Sequence, residues 1–335
     1  MKNILVTGGC GFIGSCFIIR QIKAGNSVIN LDSLTYAANP TNLAEIDQNP
    51  NYSFVRGDIR DQKLISKILV KFDIDILVNF AAESHVDNSI ANPDAFIQTN
   101  INGTFSLLDS ALKYWQNLNG NKKEDFRFIH ISTDEVYGSL TLEDPKFTED
   151  NNYLPNSPYS ASKAASDHLV RAWNETYKLP AIITNCSNNF GARQHSEKLI
   201  PTVIRSALAG KNIPIYGNGK NIRDWIYVED HCNGIELAIS KGDIGQSYCF
   251  GGDSERQNID IATQICQILD GLEPKSGGSS YADQITFVED RKGHDFRYAI
   301  DSSKAKKELG FKLDGSFENK LLETVKYYLT LTINN

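Results

Sequence analysis

The sequence lacks long hydrophobic runs. No stretch of its 335 residues approaches the roughly 18 consecutive apolar residues of a membrane-spanning helix. Residues 1–6 lead directly into Thr7, Gly8 and Gly9, and not into an apolar signal segment that ends in small residues. We therefore expect neither a membrane span nor a secretory leader.

Cysteine is scarce, and its spacing suits neither disulfides nor metals. The six cysteines include no C-x-x-C pair and no metal-ligand spacing. Such residues are typical of buried free thiols in a reducing compartment. We expect a cytoplasmic protein without a metal site.

The chain also lacks an excess of positive charge. It has 34 lysines and arginines against 41 aspartates and glutamates, and a formal net charge of −7 at pH 7. This argues against nucleic-acid binding, which needs a basic face. The hydrophobic share of 41% and the charged share of 22% are typical of a globular protein and exclude long disorder.

Short apolar runs alternate with amphipathic stretches in the first half of the chain. The predicted strands cover residues 3–7, 27–31, 52–56, 76–80, 127–132 and 181–186. The predicted helices cover residues 12–23, 62–71, 91–115 and 159–177. Continuous apolar strands separated by helices are typical of a parallel sheet covered on both faces. The sequence therefore predicts an α/β protein with a doubly wound, Rossmann-type parallel sheet.

The second half has a looser pattern, with more glycine and proline. At roughly 100–200 residues per domain, the length suits about two domains. We predict a first domain over 1–187 and a smaller C-terminal α/β domain over 188–335. The segment at about 222–245 could pack back on the first domain.

A glycine-rich loop lies between the first predicted strand and helix. Gly8, Gly11 and Gly14 match G-x-x-G-x-x-G, and Gly9 completes an overlapping G-x-G-x-x-G. Glycine allows a tight turn and close approach to a pyrophosphate, while the helix N-terminus offers free N–H groups to the phosphates. The loop predicts a dinucleotide site.

Two carboxylates follow later strands of the same unit. Asp32 lies about 20 residues beyond the glycines, where a carboxylate can accept bonds from the adenosine ribose. Because that carboxylate would repel a 2′-phosphate, NAD is favoured over NADP; the alternative is a solvated turn residue. Asp58 could bind the adenine, or it could instead cap the next helix.

Tyr159 and Lys163 form a Y-x-x-x-K pair at the start of a predicted helix. Residues four apart share a helical face. An ammonium beside a phenol lowers the phenol pKa, so Tyr159 could act as a base towards an alcohol that loses a hydride. A surface tyrosine and lysine is the alternative. A second pair, Tyr216 and Lys220, lies in a turn and has no fixed geometry.

Thr133, Asp134 and Glu135 end a predicted strand, at the edge where open α/β sheets bind ligands. Thr133 could hydrogen-bond the substrate oxygen that Tyr159 contacts. Two carboxyl groups in one desolvated site do not ionise together easily, so one can act as an acid and the other as a base. Loop solvation is the alternative role of this acidic pair.

Motifs along the whole chain resemble those of the extended short-chain dehydrogenase/reductases, and within them the dTDP-glucose 4,6-dehydratases. Beside the glycine loop and Tyr159/Lys163, they are 81–87 (AAESHVD), 132–138 (STDEVYG), 186–191 (CSNNFG), 214–219 (PIYGNG), 221–225 (NIRDW) and 290–298 (DRKGHDFRY). The Thr133–Asp134–Glu135 triplet is the most specific, because epimerases of the superfamily keep the Tyr/Lys pair without this acid–base pair.

The resemblance implies a catalytic cycle with NAD as cofactor. Tyr159, steered by Lys163, takes the C4 hydroxyl proton while the C4 hydride goes to NAD. Glu135 then removes the C5 proton, and Asp134 protonates the departing C6 hydroxyl. The hydride returns to C6, which yields a 4-keto-6-deoxy sugar.

The resemblance also implies binding residues in both domains. For the cofactor they are Gly8, Gly11, Phe12, Ile13, Gly14, Asp32, Leu34, Thr35, Asp58, Ile59, Phe80, Ala81, Ala82, Ser84, Thr99, Tyr159, Lys163 and Asn189. For the nucleotide sugar they are Ser84, Thr133, Asn188, Lys198, Leu199, Pro214, Tyr216, Arg223, Asn258, Arg291 and His294. Lys198 could instead be solvated, and His294 could be an ordinary loop residue.

Several alternatives stay open at this point. The enzyme could act on UDP-glucose, since uridine differs from thymidine by one methyl group, or it could be a 4-epimerase or decarboxylase of nucleotide sugars. A cofactor-binding regulatory protein without chemistry is a further class. The resemblance also implies a homodimer through helices 91–115 and 159–177.

Overall fold

A computed structural model describes residues 1–333 of the chain. Its strands are β1 (Asn3–Thr7), β2 (Ser27–Asp32), β3 (Tyr52–Arg56), β4 (Ile76–Asn79), β5 (Arg127–Thr133), β6 (Ala181–Cys186), β7 (Asn188–Phe190), β8 (Ile213–Tyr216), β9 (Ile222–Tyr227), β10 (Ser247–Phe250), β11 (Glu255–Gln257) and β12 (Ile285–Val288). The six strands predicted in the first half are all present, with ends that differ by at most one residue.

The α-helices complete the layers. They are α1 (Phe12–Lys23), α2 (Gln62–Lys71), α3 (Val86–Ala91), α4 (Pro93–Phe96), α5 (Thr104–Gln116), α6 (Gly120–Asp125), α7 (Pro158–Tyr177), α8 (Leu199–Leu208), α9 (Val228–Lys241), α10 (Asn258–Leu272) and α11 (Phe317–Ile333). Short 3-10 turns lie at Pro40–Ile46, Asp134–Tyr137 and Tyr281–Gln284, and π-helical turns at Ile97–Gly103 and Ala305–Leu309.

The prediction of one helix over residues 91–115 was wrong. The segment is divided into α3, α4, a π-helical turn and α5. Asn92 has an extended φ of −144° and ψ of 80°, because the ring of Pro93 disfavours the helical conformation of the residue before it. The apolar periodicity continues across this break, which is why the pattern alone indicated a single helix.

The main sheet has seven parallel strands in the order β10-β6-β5-β4-β1-β2-β3. Strand β1 shows why both faces are covered. Ile4 and Val6 join a core beneath α1 and α9, whereas Leu5 joins a core beneath α2, α5 and α7, as the alternation of side chains along a strand requires. The predicted doubly wound α/β class is confirmed.

The second half builds two smaller sheets, β11-β9-β7 and β12-β8. Helices α8, α10 and α11 enclose a separate apolar core that includes Ile200, Ile261 and Leu321. Between these elements the chain returns to the main sheet: α9 packs against α1, where Arg20 pairs with Glu236 (2.6 Å), and β10 extends the sheet beside β6. Strand β9, by contrast, belongs to the second half.

The six cysteines are buried and free, which confirms the prediction of buried thiols. Within residues 1–333, no helix is both long enough and apolar enough to cross a membrane.

Candidate active site

A cavity of about 630 Å³ runs along the carboxyl ends of the main-sheet strands. The predicted cofactor residues that line it are Gly8, Gly11, Phe12, Ile13, Gly14, Asp32, Thr35, Asp58, Ile59, Phe80, Ala81, Ala82, Ser84, Thr99, Tyr159, Lys163 and Asn189. Leu34 does not line it. The catalytic candidates Thr133, Asp134 and Glu135 lie in the same cavity as Tyr159 and Lys163.

The glycine loop turns sharply at the mouth of this cavity. Gly8 has a φ of +69°, and a Cβ there would lie 2.7 Å from the backbone of Ala81. A Cβ at Gly14 would lie 2.5 Å from the carbonyl oxygen of Gly8. Gly11 opens α1 without a side-chain cap, and the first turn carries no acidic residue. Free N–H groups and the positive end of the helix dipole thus face the cavity, an arrangement that fits a pyrophosphate.

Asp32 ends β2 as a buried carboxylate. Its Oδ2 accepts a bond from the backbone N–H of Cys10 (2.9 Å), and its Oδ1 accepts one from Leu34 (2.8 Å). Each carboxylate oxygen can accept a further bond, so a ribose hydroxyl still finds an acceptor. Leu34 contributes its backbone here, with a left-handed φ of 58°, and its side chain packs against the apolar core beneath α1 and does not line the cavity.

Asp58 does not cap the next helix, so that alternative was wrong. The cap of α2 is Asp61, whose side chain accepts from the N–H of Leu64 (3.0 Å). Asp58 instead pairs with Arg60 (2.7 Å), and the Arg60 guanidinium lowers the pKa of the Asp58 carboxyl. The carboxylate therefore stays ionised at the far end of the cavity.

The acidic pair sits on a 3-10 turn at the end of β5. Thr133 begins this turn, and its hydroxyl accepts a bond from the N–H of Glu135 (3.3 Å). The cap directs Asp134 into the protein, where it is 1% exposed, while Glu135 is partly exposed between the two cavities. One short turn thus gives the two carboxyl groups different surroundings.

Those surroundings shift the two pKa values unequally. Burial, and then the charge of Glu135, raise the pKa of Asp134 well above its usual value, and its Oδ2 has no hydrogen-bond partner among the described residues. Burial also raises the pKa of Glu135, but Arg223, Lys198 and Arg291 oppose the shift. For Asp134 to act as an acid and Glu135 as a base, the pKa of Asp134 must be the higher of the two, as these surroundings favour.

Tyr159 and Lys163 lie in the first turns of α7, which begins with a capping box between Ser157 and Ser160. The prediction that Lys163 lowers the pKa of Tyr159 was wrong. Burial is the largest effect and raises that pKa well above its usual value, Glu135 raises it further, and a hydrogen bond with Thr133 opposes them. Lys163 donates instead to the carbonyl oxygen of Ile131 (2.7 Å).

A second cavity of about 250 Å³ adjoins the first. The predicted substrate residues that line it are Ser84, Asn188, Lys198, Leu199, Pro214, Tyr216, Arg223, Asn258, Arg291 and His294. Thr133 lines the larger cavity instead. Ser84, Glu135, Asn188 and Lys198 line both cavities, so the acidic pair stands where the two meet.

Three cations face this second cavity. Arg223 is buried, donates to the carbonyl oxygen of Asp295 (2.9 Å) and lies over the ring of Tyr298 (4.3 Å). Arg291 lies over the ring of Tyr216 (4.6 Å). Lys198 donates to the carbonyl oxygen of Ser84 (3.2 Å). Two guanidinium groups and one ammonium in a narrow cavity favour a bound diphosphate.

The alternatives for Lys198 and His294 have different outcomes. Burial lowers the pKa of Lys198, so a fully solvated lysine is excluded. His294 lines the second cavity, while its Nδ1 lies 2.6 Å from Asp290 on the same loop. That contact fits a structural loop histidine as well as a ligand contact.

Sequence reasoning missed several residues at the cavities. Glu83 and Glu197 line the larger cavity, and their mutual repulsion adds to burial in raising the pKa of Glu83. Tyr298 and Trp225 line the smaller one. Glu83, Trp225 and Tyr298 lie inside motifs already singled out and Glu197 adjoins Lys198, but no spacing rule distinguishes such residues from their neighbours.

The chain is similar over nearly its whole length to proteins of known activity. Residues 5–324 match the family described as GDP-mannose 4,6 dehydratase. A dTDP-glucose 4,6-dehydratase of Haemophilus influenzae is 53% identical over 332 residues, which cover 98% of this chain and 98% of that protein. The chain belongs to the dTDP-glucose 4,6-dehydratase family.

Solved structures of the dTDP-glucose 4,6-dehydratase family agree with the fold. DesIV, the dTDP-glucose 4,6-dehydratase of Streptomyces venezuelae crystallised with NAD bound, is 43% identical with a TM-score of 0.88, over 98% of this chain and 97% of that one. A UDP-glucose 4-epimerase of Thermotoga maritima has a TM-score of 0.85 at 27% identity, over 98% and 99%. The fold is shared with epimerases, whereas the sequence identity is higher to the dehydratase than to the epimerase.

Proposed function

We propose that this chain converts dTDP-glucose into dTDP-4-keto-6-deoxyglucose, with NAD in the larger cavity and the nucleotide sugar in the smaller one. The observation that carries the proposal is the acidic pair Asp134 and Glu135. It lies on one short turn where the two cavities meet, in the same cavity as Tyr159 and Lys163. A 4-epimerase needs no such pair, whereas loss of water needs both an acid and a base.

The larger cavity has the groups that a dinucleotide requires. Its glycine loop offers N–H groups to a pyrophosphate, and Asp32 offers carboxylate oxygens to the adenosine ribose. The negative charge of Asp32 disfavours a 2′-phosphate, so we assign NAD in preference to NADP. When bound, NAD accepts a hydride from C4, returns it to C6, and brings positive charge into the site in its oxidised form.

Oxidation at C4 requires a base for the hydroxyl proton. Tyr159 takes that proton, and Thr133 hydrogen-bonds the same substrate oxygen. Burial dominates the pKa of Tyr159, so the phenolate would be favoured only once the positive charge of the bound oxidised cofactor adds to that of Lys163, one helical turn away. Proton and hydride leave together, so the C4 carbinol becomes a ketone.

Loss of water then uses the acidic pair. The ketone acidifies the C5 hydrogen, which Glu135 removes as a proton. Asp134, kept protonated by burial, gives its proton to the C6 hydroxyl as the C–O bond breaks and water departs. Hydride addition at C6 and reprotonation at C5 complete the 4-keto-6-deoxy sugar.

We assign the diphosphate to Arg223, Arg291 and Lys198, whose charges converge on the smaller cavity. Asn188, Asn258 and His294 would add polar contacts to the phosphates or the sugar. Ser84 and Thr133 would contact the glucose.

The nucleotide base belongs at the outer end of the smaller cavity in this proposal. Leu199, Pro214 and Tyr216 offer apolar and aromatic contacts there. Residues 1–187 would serve chiefly the cofactor, and residues 188–335 the nucleotide sugar.

We further propose a homodimer in the cytoplasm. The helices around α5 and α7 carry exposed apolar side chains, among them Ile97, Phe105 and Tyr177, which suits a helical interface. Six buried free thiols suit a reducing compartment.

An isotope experiment tests the hydride cycle. In deuterated water, the product is expected to carry solvent deuterium at C5, because Glu135 exchanges its proton with the medium. Deuterium placed at C4 of dTDP-glucose is expected to appear at C6 of the same product molecule, as read by NMR and mass spectrometry. If the C4 label is lost to solvent, or if a C4-inverted sugar without a ketone is formed, the proposal is wrong.

A comparison of dTDP-glucose with UDP-glucose tests the nucleotide. One methyl group in an apolar pocket changes discrimination by about 1–3 kcal/mol, or roughly 10- to 200-fold in kcat/KM. We expect kcat/KM to be higher for dTDP-glucose by a factor in that range. Equal or reversed values, with the wild-type enzyme active on both, would assign the chain to UDP-glucose or to both substrates.

A further inference from the structure

A buried polar cluster lies behind Lys163, and the catalytic steps above do not use it. It consists of His130 on β5, Asp167 on α7, and the Asn79 amide on β4. His130 is fully buried and Asp167 is 1% exposed. Burying an ionisable group costs free energy of folding unless the group is paired. The burial of His130 and Asp167 together therefore indicates that they interact with other charged or polar groups.

The hydrogen bonds around His130 fix which ring nitrogen carries the proton. The hydroxyl of Thr7 accepts from the N–H of Ala81 (3.3 Å), so its own proton goes to Oδ1 of Asn79 (2.6 Å). Nδ2 of Asn79 then donates to Nδ1 of His130 (3.2 Å). The ring proton is therefore on Nε2.

Two N–H groups, the Lys163 ammonium and the ring N–H itself, lie close together at this nitrogen. The Nζ of Lys163 lies 3.4 Å from Nε2 of His130, and Oδ1 of Asp167 lies 3.3 Å from the same Nε2. A neutral imidazole N–H and an ammonium repel each other at that distance. The negative charge of Asp167 lies on the same side and compensates both donors.

Asp167 is itself held rigidly by neutral donors. Its Oδ2 accepts from the hydroxyl of Ser132 (2.7 Å), from that of Tyr153 (3.0 Å) and from the amide of Asn185 (3.4 Å). None of these three donors bonds to Oδ1, which faces His130. The negative charge is left to act on the Lys163 side.

We propose that Asp167, across the ring of His130, is a positioning residue that keeps the Lys163 ammonium charged and in place for the reaction at Tyr159. The inference rests on the proposed function. The groups that face Lys163 are His130 and the carbonyl oxygen of Ile131 from β5, Cys186 from β6, and Asp167 from its own helix, while Tyr159 lines the same cavity. Burial lowers the pKa of Lys163, and the Asp167 charge is the largest opposing effect. Burial and the nearby ammonium lower the pKa of His130 to about 4, so the ring stays neutral between the two charges.

The test removes the charge while keeping the shape. In Asp167→Asn, Lys163 loses its proton at a lower pH, so the alkaline limb of kcat moves to lower pH while KM for dTDP-glucose changes little. At pH values between the alkaline limb of the variant and that of the wild type, the ratio of wild-type to variant kcat grows by up to about tenfold per pH unit. Asp167→Glu, which keeps the charge, retains the wild-type limb. Tyr153→Phe, which removes one neutral bond to Asp167, also retains it.

Thermal melting gives a readout that does not depend on activity. The folded-state pKa of Lys163 lies below its unfolded value, so the cost of the buried ammonium is present at low pH and fades as the pH rises through the folded-state pKa. The Tm deficit of Asp167→Asn is therefore largest at pH values below the folded-state pKa of Lys163 and shrinks as the pH rises past it, while its kcat deficit grows. Asp167→Ser is measured in parallel, so that the result does not depend on the folding of one variant.

The possible outcomes distinguish a failure of the Asp167 inference from a failure of the proposed function. A constant ratio of wild-type to variant kcat at every pH, with a parallel loss of Tm, would give Asp167 a structural role and overturn the inference. Lys163→Arg, which stays charged at all accessible pH values, must lose the alkaline limb that Asp167→Asn moves and keep only a limb due to the protonated acid Asp134; an unchanged profile would also overturn the inference. A wild-type protein that does not convert dTDP-glucose would overturn the proposed function, and the Tm series would still decide whether Asp167 holds the Lys163 charge.

Discussion

The double variant Asp134→Asn, Glu135→Gln is expected to oxidise C4 and then to stop. Tyr159 and Lys163 are untouched, so the hydride still leaves C4, but no base removes the C5 proton and no acid assists the C6 hydroxyl. General acid–base groups contribute about 100- to 10,000-fold, and formation of the 4-keto-6-deoxy product should fall at least that far. Because burial keeps Asp134 protonated, the neutral Asn preserves the local charge. The loss caused by Asp134→Asn is then due to the missing proton and not to a change of charge.

The near-ultraviolet absorbance of NADH measures where the double variant stops. Reduced cofactor should accumulate to about one equivalent per active site, whereas the wild type shows little. The exposed acidic pair Glu143 and Asp144 provides the control: Glu143→Gln, Asp144→Asn should turn over like the wild type. Full product formation by the Asp134/Glu135 variant would remove both residues from the mechanism.

The raised pKa values of this pair also set the pH dependence of water loss. Glu135 must be ionised, so the rate falls as the pH falls through its pKa, which burial places above the usual range of a carboxyl group. Asp134 must be protonated, so the rate also falls as the pH rises through its still higher pKa. In Asp134→Asn alone, the remaining activity should lose the upper limb due to Asp134.

Tyr159→Phe is expected to block the cycle one step earlier. Phenylalanine keeps the ring that packs edge-on against Phe96 (6.3 Å between centroids), but it offers no oxygen to take the C4 proton. Loss of the base should lower the rate of C4 oxidation by about 100- to 10,000-fold. Single-turnover absorbance should show no rapid reduction of the cofactor, in contrast to the Asp134/Glu135 variant.

Tyr177→Phe is the matched control for this second prediction. Tyr177 ends the same helix and is 47% exposed, so its hydroxyl lies outside both cavities. Its variant should oxidise C4 at the wild-type rate. If Tyr159→Phe does the same, another group must take the C4 proton.

The elements of the first half follow closely from the sequence, because both faces of their sheet are buried. In β1, each residue from Ile4 to Thr7 is buried. A short, largely apolar run of this kind is typical of a strand in a parallel sheet that is covered on both faces. The break at Asn92–Pro93 was not predicted, since the apolar period continued through it. A proline was visible there, yet periodicity alone does not say whether a helix kinks or stops.

The candidate site was predictable as a set of residues, but its electrostatics were not. The spacing of Tyr159 and Lys163 on one helical face correctly brought both into the cavity. The same spacing wrongly suggested a lowered pKa for Tyr159, because burial and the charge of Glu135 depend on segments far away in sequence. His130 and Asp167 carried no motif, and their proximity arises only when β5 and α7 pack together.

Strand β10, the edge strand that completes the seven-stranded main sheet, has a consequence for synthesis of the chain. β6 pairs with β10 on its outer side, and β10 follows β7, β8, β9 and α9 in the sequence. During translation, β6 therefore remains an open edge until about residue 250 has left the ribosome. Unpaired parallel edges are slow to close and prone to aggregation. The nascent chain thus passes through a period in which its largest sheet is incomplete while parts of its second half already exist.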